Sequence, residues 1–190
     1  RNVLQFSQMM EELLQFSRLI NDRERGASDP VSLVECLERA LAEARGQWQS
    51  SYIRGDFEKP EGTVPVVADT PTLDFLVKNL LLNAGSYLRP GFEIHCRLEE
   101  RGGRAVLQVL VEPIKPNLPT ASRLLQKFFL LPAKGEEEQS GAMPIGLAAG
   151  TYLARLLAGD LTAEPSQGAG FILTLSLPLA GKGAPSPDPQ

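Results

Sequence analysis

Residues Thr70–Leu88 read TPTLDFLVKNLLLNAGSYL, and this stretch decides the fold. Apolar residues at Leu73, Leu76, Val77, Leu80, Leu81 and Ala84 recur with the period of an α-helix and form one broad buried face. Thr70 or Thr72 is placed to cap its start. Pro71 suits the first turn, where its missing N–H has no intrahelical partner to lose, and Arg89-Pro90-Gly91 stops the helix. Asn79 and Asn83 lie four residues apart, on one side of the helix. Amides on an apolar helix are costly to bury without partners. The pair is therefore either satisfied by backbone and water at the helix edge or kept for a ligand.

Downstream of this helix, Phe92, Ile94, Cys96 and Leu98 alternate with Glu93, His95, Arg97 and Glu99, the period of a half-buried strand. Gly102-Gly103 turns the chain into a hairpin partner over Ala105–Val111. Upstream, Ser28–Leu33 is short and extended. A second helix is predicted over Ser32–Gly46, with Leu33, Val34, Leu37, Ala40, Leu41 and Ala44 on its apolar face. Trp48–Phe57 reads as an edge strand, Glu58–Thr63 as a polar loop and Val64–Ala68 as a brief strand. The acidic, glycine-bounded run Gly135–Gly141 reads as a mobile loop. The stretch 181–190, with three prolines, reads as a disordered tail.

Asn2–Arg25 reads as one long helix that Gly26 closes. Val3, Phe6, Met10, Leu13 and Ile20 make a heptad-like seam interrupted by Ser17, and Met9, Phe16 and Leu19 widen it. Heptad spacing on a helix with no local neighbour points to pairing between subunits. Phe6, Met9, Met10, Leu13, Phe16 and Ile20 are the candidate contacts. The division expected is a helix over 1–26, a folded domain over 27–180 and a tail over 181–190.

At 190 residues, with 43% hydrophobic and 22% charged residues, the chain is an ordinary globular protein able to bury a sizeable core. A net charge of −4 argues against nonspecific nucleic-acid binding, which depends on neutralising phosphates. No apolar run reaches the ~18 residues of a membrane span. Cys36 and Cys96 are too few and too unpatterned for a disulfide framework or a metal site, so a reducing cytoplasm is the expected location. His95, alone in the chain, lies mid-strand and is not placed as a phosphoacceptor. The first residue is Arg1, so a sensor or another helix is expected upstream.

NLLLNA followed by a short loop and a strand resembles the N-box of the ATP-binding domain of sensor histidine kinases. The run IGLAA, then YLARLLAGDLTAEPSQGAGFILTLSLP with Gly159 after its helix, resembles the helix, two strands and closing proline that end that domain. The likeness covers about Gln8 to Leu179. It implies a two-layer α/β sandwich, a mixed sheet of about five strands with three helices, preceded by a long dimerisation helix like the second helix of the phosphotransfer hairpin. It also implies roles. Asn83 stands where the family holds Mg²⁺, and Asn79 one turn earlier flanks the phosphates. A hard cation suits an amide oxygen.

The glycine boxes depart from the family. Its Asp-x-Gly-x-Gly aligns with Glu112-Pro113-Ile114-Lys115-Pro116, which leaves Glu112 as the adenine acceptor and Ile114 and Pro116 in place of glycine. Ile brings a branched side chain, and Pro fixes φ and removes a donor. Its Gly-x-Gly-x-Gly-Leu aligns with Ala142-Met143-Pro144-Ile145-Gly146-Leu147, where Gly146 alone of the three glycines remains. Pro144 removes one of the N–H groups that would cradle phosphate, and Glu136-Glu137-Glu138 adds negative charge where the lid of the site would be.

The reading is a degenerate histidine-kinase core with a vestigial site of Asn79, Asn83, Glu112 and Gly146, no catalytic residue and no cofactor. It acts in two-component signalling through protein contacts, as a homodimer through its first helix and with a response regulator or another kinase. The alternative is an active or phosphotransfer-competent fragment whose phosphoacceptor histidine lies upstream of Arg1. In its active form that fragment uses Mg-ATP, with Mg²⁺ at Asn83. An anti-sigma kinase of the same superfamily fits less well with the long first helix.

Overall fold

The computed structural model describes residues 14, 17–19, 30–50, 52–86, 88, 91–113, 146–166 and 170–181, without the side chains at 83, 86 and 146–148. The alternation of the strands governs the architecture. Inward residues Phe92, Ile94, Cys96 and Leu98 on β4 (Phe92–Arg101) are buried, as are Ala105, Leu107, Val109 and Val111 on β5 (Arg104–Pro113). Phe171, Leu173, Leu175 and Leu177 on β7 (Phe171–Pro178) are buried in the same phase. With β2 (Arg54–Glu58) and β6 (Asp160–Pro165) at its edges, the sheet has the order β2-β4-β5-β7-β6. β2 pairs with β4 in parallel and every other pair is antiparallel, so the five-stranded sheet is mixed. Only one face is buried, and the described helices α1 (Leu33–Ser50), α2 (Thr70–Ser86) and α3 (Gly146–Leu156) cover it. This is the two-layer α/β sandwich expected. A smaller ribbon of β1 (Pro30–Ser32) and β3 (Pro65–Val67) is tied to the end of β7 by a bridge from Val66 to Leu179.

The deciding helix forms over Thr70–Ser86, but neither threonine caps it. Asp69 does: the Thr72 N–H donates to its carboxylate at 2.9 Å, and the Leu73 N–H to its carbonyl at 3.1 Å. A carboxylate at this position also meets the positive end of the helix dipole. The first helix of the sandwich runs past Gly46 to Ser50, and the edge strand shrinks to five residues. Trp48 belongs to the helix and is fully buried. Its ring packs edge-on between two backbones, because a Cβ at either Gly55 or Gly85 would collide with the indole. The helix closes with Tyr52 in the left-handed region at φ 55°, the Tyr52 N–H bonded to Gln49 O at 3.0 Å and the Ile53 N–H to Trp48 O at 2.8 Å. Ile53, like Trp48, is buried, as the apolar pair that accompanies this cap requires. Tertiary burial of Trp48 overrides the weak helix propensity of Gly46.

α1 and α2 lie side by side. Arg39 Nη2 meets Asp74 Oδ1 at 2.7 Å and Lys78 Nζ meets Glu43 Oε1 at 2.6 Å, a four-residue step in the same direction on both helices, so they run parallel. The seam residues Phe6, Met9, Met10, Leu13, Phe16 and Ile20 lie outside the described residues, as do the Gly135–Gly141 run and 182–190. Of the first helix, Leu14 is exposed, and Leu19, assigned by the sequence to the widened seam, packs against the core.

Candidate functional site

Three elements carry the residues singled out for nucleotide. Asn79 is half-buried on α2 and is not an unpaired amide. Asn83 lies one turn later on the same helix, its side chain outside the description. Gly146 begins α3. The two helices touch at Gly150, where a Cβ would lie 3.7 Å from Leu76 Cδ1. Asn79 and Gly146 thus sit within about a turn of one helix–helix contact, over the buried face of the sheet.

Glu112 does not join them. β5 stays in phase to its end, with Val111 buried and pointing toward the helices, so Glu112 points to the opposite, open face. There its carboxylate accepts a long hydrogen bond from the Ser166 hydroxyl at 3.4 Å, at the turn between β6 and β7. The helix-facing position at the strand end is Pro113, half-buried and without an acceptor side chain or an N–H. The motif match places the adenine acceptor at Glu112, whereas the phase of the strand gives that place to Pro113. Extending the alternation of Ala105, Leu107, Val109 and Val111 by one step in the sequence finds it. The proline side chain offers no acceptor to an adenine amino group, so Pro113 does not replace the carboxylate that the family places there. Ile114–Pro116, Glu136–Glu138 and Ala142–Ile145 lie outside the described residues.

Gly170 closes the same corner from the far side. A Cβ there would run into the Val111 carbonyl oxygen, with Val111 C at 2.9 Å and Glu112 Cα at 3.0 Å. The Ser166 N–H donates to Gly170 O at 3.0 Å and shapes the turn. Gly159, the glycine after α3, is needed for a different reason. It does not take the left-handed turn. Ala158 does, at φ 54°, while a Cβ on Gly159 would strike the Ser176 carbonyl and Leu177. Arg104 fastens this end by donating to Ser176 Oγ at 2.5 Å and to the Ala158 and Ser176 carbonyls at 3.2 Å each.

Among the described residues, the two cysteines are buried on the helix side of the sheet. Burial pushes the Cys36 thiol well up, helped by a hydrogen bond with Asp74. Burial, with the nearby Asp56 charge second, pushes Cys96 up to about 12. Both thiols are free and protonated at neutral pH, poor nucleophiles and poor metal ligands. Among the described residues no group of three or more histidines, cysteines or carboxylates is placed to hold a metal. His95 lies mid-strand as read, its Nδ1 2.8 Å from Asp56 Oδ1 and its Nε2 3.6 Å from Glu93 Oε2. Asp56 and His95 also line a groove of about 420 Å³ on the open face, with Gln108, Leu110 and Ile172. The sequence carries one sign of it: Leu110 and Ile172 are aliphatic at outward-phase positions of their strands.

With this geometry in hand, the chain can be set beside known proteins. No family model matches it. It is 30% identical over 146 residues, 76% of its length, to the sensor protein kinase PmrB of Pseudomonas aeruginosa. It is 25% identical over 170 residues to the sensor-like histidine kinase SenX3 of Mycolicibacterium smegmatis. It spans 30% and 44% of those two proteins, less than half of either. Among solved structures it resembles the Acinetobacter baumannii histidine kinase AdeS, with a TM-score of 0.63 at 16% identity, covering 92% of this chain and 79% of that one. It likewise resembles the catalytic domain of histidine kinase ThkA, with a TM-score of 0.62 at 16% identity, covering 79% of this chain and 96% of that one. Among the described residues no helix is long and apolar enough to cross a membrane.

Proposed function

We propose that this chain, whose sequence and fold point to the catalytic ATP-binding domain of sensor histidine kinases, is a degenerate core of that type. It serves two-component signalling in the cytoplasm through protein contacts, with ATP binding absent or very weak. The observation that carries this reading is the end of β5. Pro113 occupies the helix-facing position and Glu112 turns away to Ser166; in the register that this phase sets, the glycine positions of the first box hold Lys115 and Asn117, and those of the second hold Ala142 and Pro144. A base without an acceptor and phosphates without a full set of backbone donors lose the interactions that hold a nucleotide. The partners in this reading are a second copy, through Phe6, Met9, Met10, Leu13, Phe16 and Ile20, and a response regulator or another kinase.

Titration of Mg-ATP into the purified chain, followed by calorimetry and thermal shift, tests it. Ligand at 100 times its dissociation constant stabilises a fold by about 2.7 kcal/mol, enough to move a melt visibly. The expected result is neither heat nor shift at millimolar nucleotide. Saturable binding that Asn83→Ala abolishes overturns the reading.

A second reading draws on the amide pair. Asn79 and Asn83 both stand on α2 in the pattern of the N-box, which favours a fragment that still takes Mg-ATP, or that relays phosphate from a histidine upstream of Arg1. The same titration separates these: binding supports the kinase, and no binding leaves the relay to be tested by phosphotransfer from a chain that includes the upstream helix.

A further inference from the structure

The open face of the sheet carries one row of side chains that crosses all five strands. Asp56 pairs with His95, His95 with Leu110, Leu110 with Ile172 and Ile172 with Glu164, so the row reads acid, imidazole, leucine, isoleucine, acid. The outward neighbours of the row on β5 and β7 are Gln108 and Thr174, followed by Val106 and Ser176, so the aliphatic pair at its centre has polar groups immediately beside it. The groove of about 420 Å³ lies over Asp56, His95, Leu110 and Ile172. Charge on this face is already partitioned. Arg54 is held by Glu93 at 2.6 Å, and Arg97 lies 3.7 Å from Glu58 and 3.5 Å from Glu99. Carboxylates at Asp56, Glu112 and Glu164 thus border the aliphatic pair, and the one guanidinium that lines the groove, Arg97, lies beside Glu58 and Glu99.

We propose that this row is a docking site for an extended segment of a partner protein in which two apolar residues lie between two lysines or arginines. Four strand spacings of ~4.8 Å put Asp56 and Glu164 ~19 Å apart, and an extended peptide advancing ~3.3 Å per residue covers that distance in about six steps. Its first, third, fifth and seventh side chains then fall on one side, matching cation, apolar, apolar, cation to the row. The excess of carboxylates repels phosphate, so nucleic acid and anionic lipid surfaces are disfavoured occupants. The site is on the opposite face of the sheet from Asn79 and needs no nucleotide, so it stands or falls independently of the reading above.

The test uses the peptide Lys-Ser-Leu-Ser-Leu-Ser-Lys, capped at both ends, titrated into the full chain labelled with nitrogen-15. Its controls are the same peptide with Glu in place of Lys and with Ser in place of Leu. The expected result is saturable shifts at the amides of His95, Leu110 and Ile172, at least tenfold weaker for either control. The variant Asp56→Lys with Glu164→Lys, both exposed side chains, loses binding at least tenfold with an unchanged far-ultraviolet spectrum. Glu43→Lys on the helix side, a charge change of the same size per site, leaves it unchanged. Equal binding of the Glu peptide, equal loss in Glu43→Lys, shifts centred elsewhere or no saturable shifts would each overturn the proposal. Shifts at the row that grow with protein concentration alone overturn it too, and give the face to a second copy.

Discussion

The packed interior and the corner where a nucleotide would sit treat glycine in opposite ways. In the interior, Gly55 and Gly85 make room for the Trp48 ring, Gly159 clears the Ser176 carbonyl and Gly170 clears the Val111 carbonyl. At the nucleotide corner, the positions that answer to the glycine boxes, with the acceptor place at Pro113, hold Lys115, Asn117, Ala142 and Pro144. The first set answers to atoms of the chain itself, and the second would answer to a ligand. The interior glycines are thus fixed by packing within the chain, independently of any ligand at the corner.

The comparison breaks if an interior glycine proves dispensable. Gly170→Ala is expected to be the most damaging single change. The obstacle is backbone, the carbonyl of Val111, which cannot swing aside as the tip of a side chain can. The β5–β7 ladder must open locally, with a loss of about 3 kcal/mol or more, above the usual range for overpacking. Urea denaturation reads it directly. A loss below about 1 kcal/mol would mean that the strand relaxes at little cost, and would remove the steric argument for this glycine.

Next in size is the coupling between Trp48 and Gly85. The indole Nε1 is buried without a hydrogen-bond partner and faces the last turn of α2, where a Cβ on residue 85 would meet it. Gly85→Ala is expected to cost about 1–3 kcal/mol through overpacking. In the background of Trp48→Leu that cost should fall by at least about 1 kcal/mol, since the ring that the methyl group strikes has gone. Additive losses would show that Gly85 matters for its backbone alone.

Much of this was legible in the residues, and the exceptions share a cause. Thr70–Ser86 was readable because six apolar positions hold one phase and Arg89-Pro90-Gly91 stops it. Of the three long central strands, β4 was readable by its alternation, β5 from the Gly102-Gly103 turn before it, and β7 from the family resemblance of its run. Helix α1 was cut short at Gly46 because local propensity is all that a sequence displays, whereas Trp48 and Ile53 supply tertiary anchorage from the other side of the glycine. Asp69 lost the cap to neighbouring threonines for want of geometry to choose among three capping residues in a row of four. At the site, motif matching set Glu112 against the family's Asp, and strand phase moved that position to Pro113. The row from Asp56 to Glu164 was not readable at all, since it exists only once five strands are in register.

A smaller effect runs in the stabilising direction. Ala158 and Tyr52 occupy the left-handed region at φ 54° and 55°, each at the close of a helix where glycine is the usual choice. Ala158→Gly and Tyr52→Gly are each expected to raise stability by about 0.5–1 kcal/mol, the relief of left-handed strain less the added freedom of the unfolded chain. Thermal melts of the two single variants and of the pair check it, and the gains should add, because the caps lie on different helices. At these two helix ends glycine is absent although φ favours it, whereas the turns at Gly62, Gly102 and Gly103 use glycine for φ alone, with open space where a Cβ would lie.

The weakest expected effect is at the surface of the parallel pair α1 and α2. Arg39 with Asp74 and Lys78 with Glu43 look like a ladder that joins the helices, yet the Arg39 and Asp74 side chains are 53% and 41% exposed. At that exposure water competes for both charges, and two long side chains lose freedom when they pair, so coupling of about 0.2–1 kcal/mol is the ceiling. A cycle of Arg39→Ala and Asp74→Ala measured in urea should return a value in that range. It should fall further in 1 M salt, where the Debye length shrinks to about 3 Å. Asp74 complicates the cycle because it also accepts a hydrogen bond from Cys36, so Cys36→Ala belongs in the background of all four proteins. If the coupling exceeds about 1 kcal/mol and resists salt, the charged ladder holds α2 in place alongside the Trp48 wedge. The contrast between the two regions would then rest on electrostatics as well as on glycine. If it vanishes in salt, the seat of the N-box helix is steric, set by Leu76, Leu80 and the ring of Trp48 against Gly85.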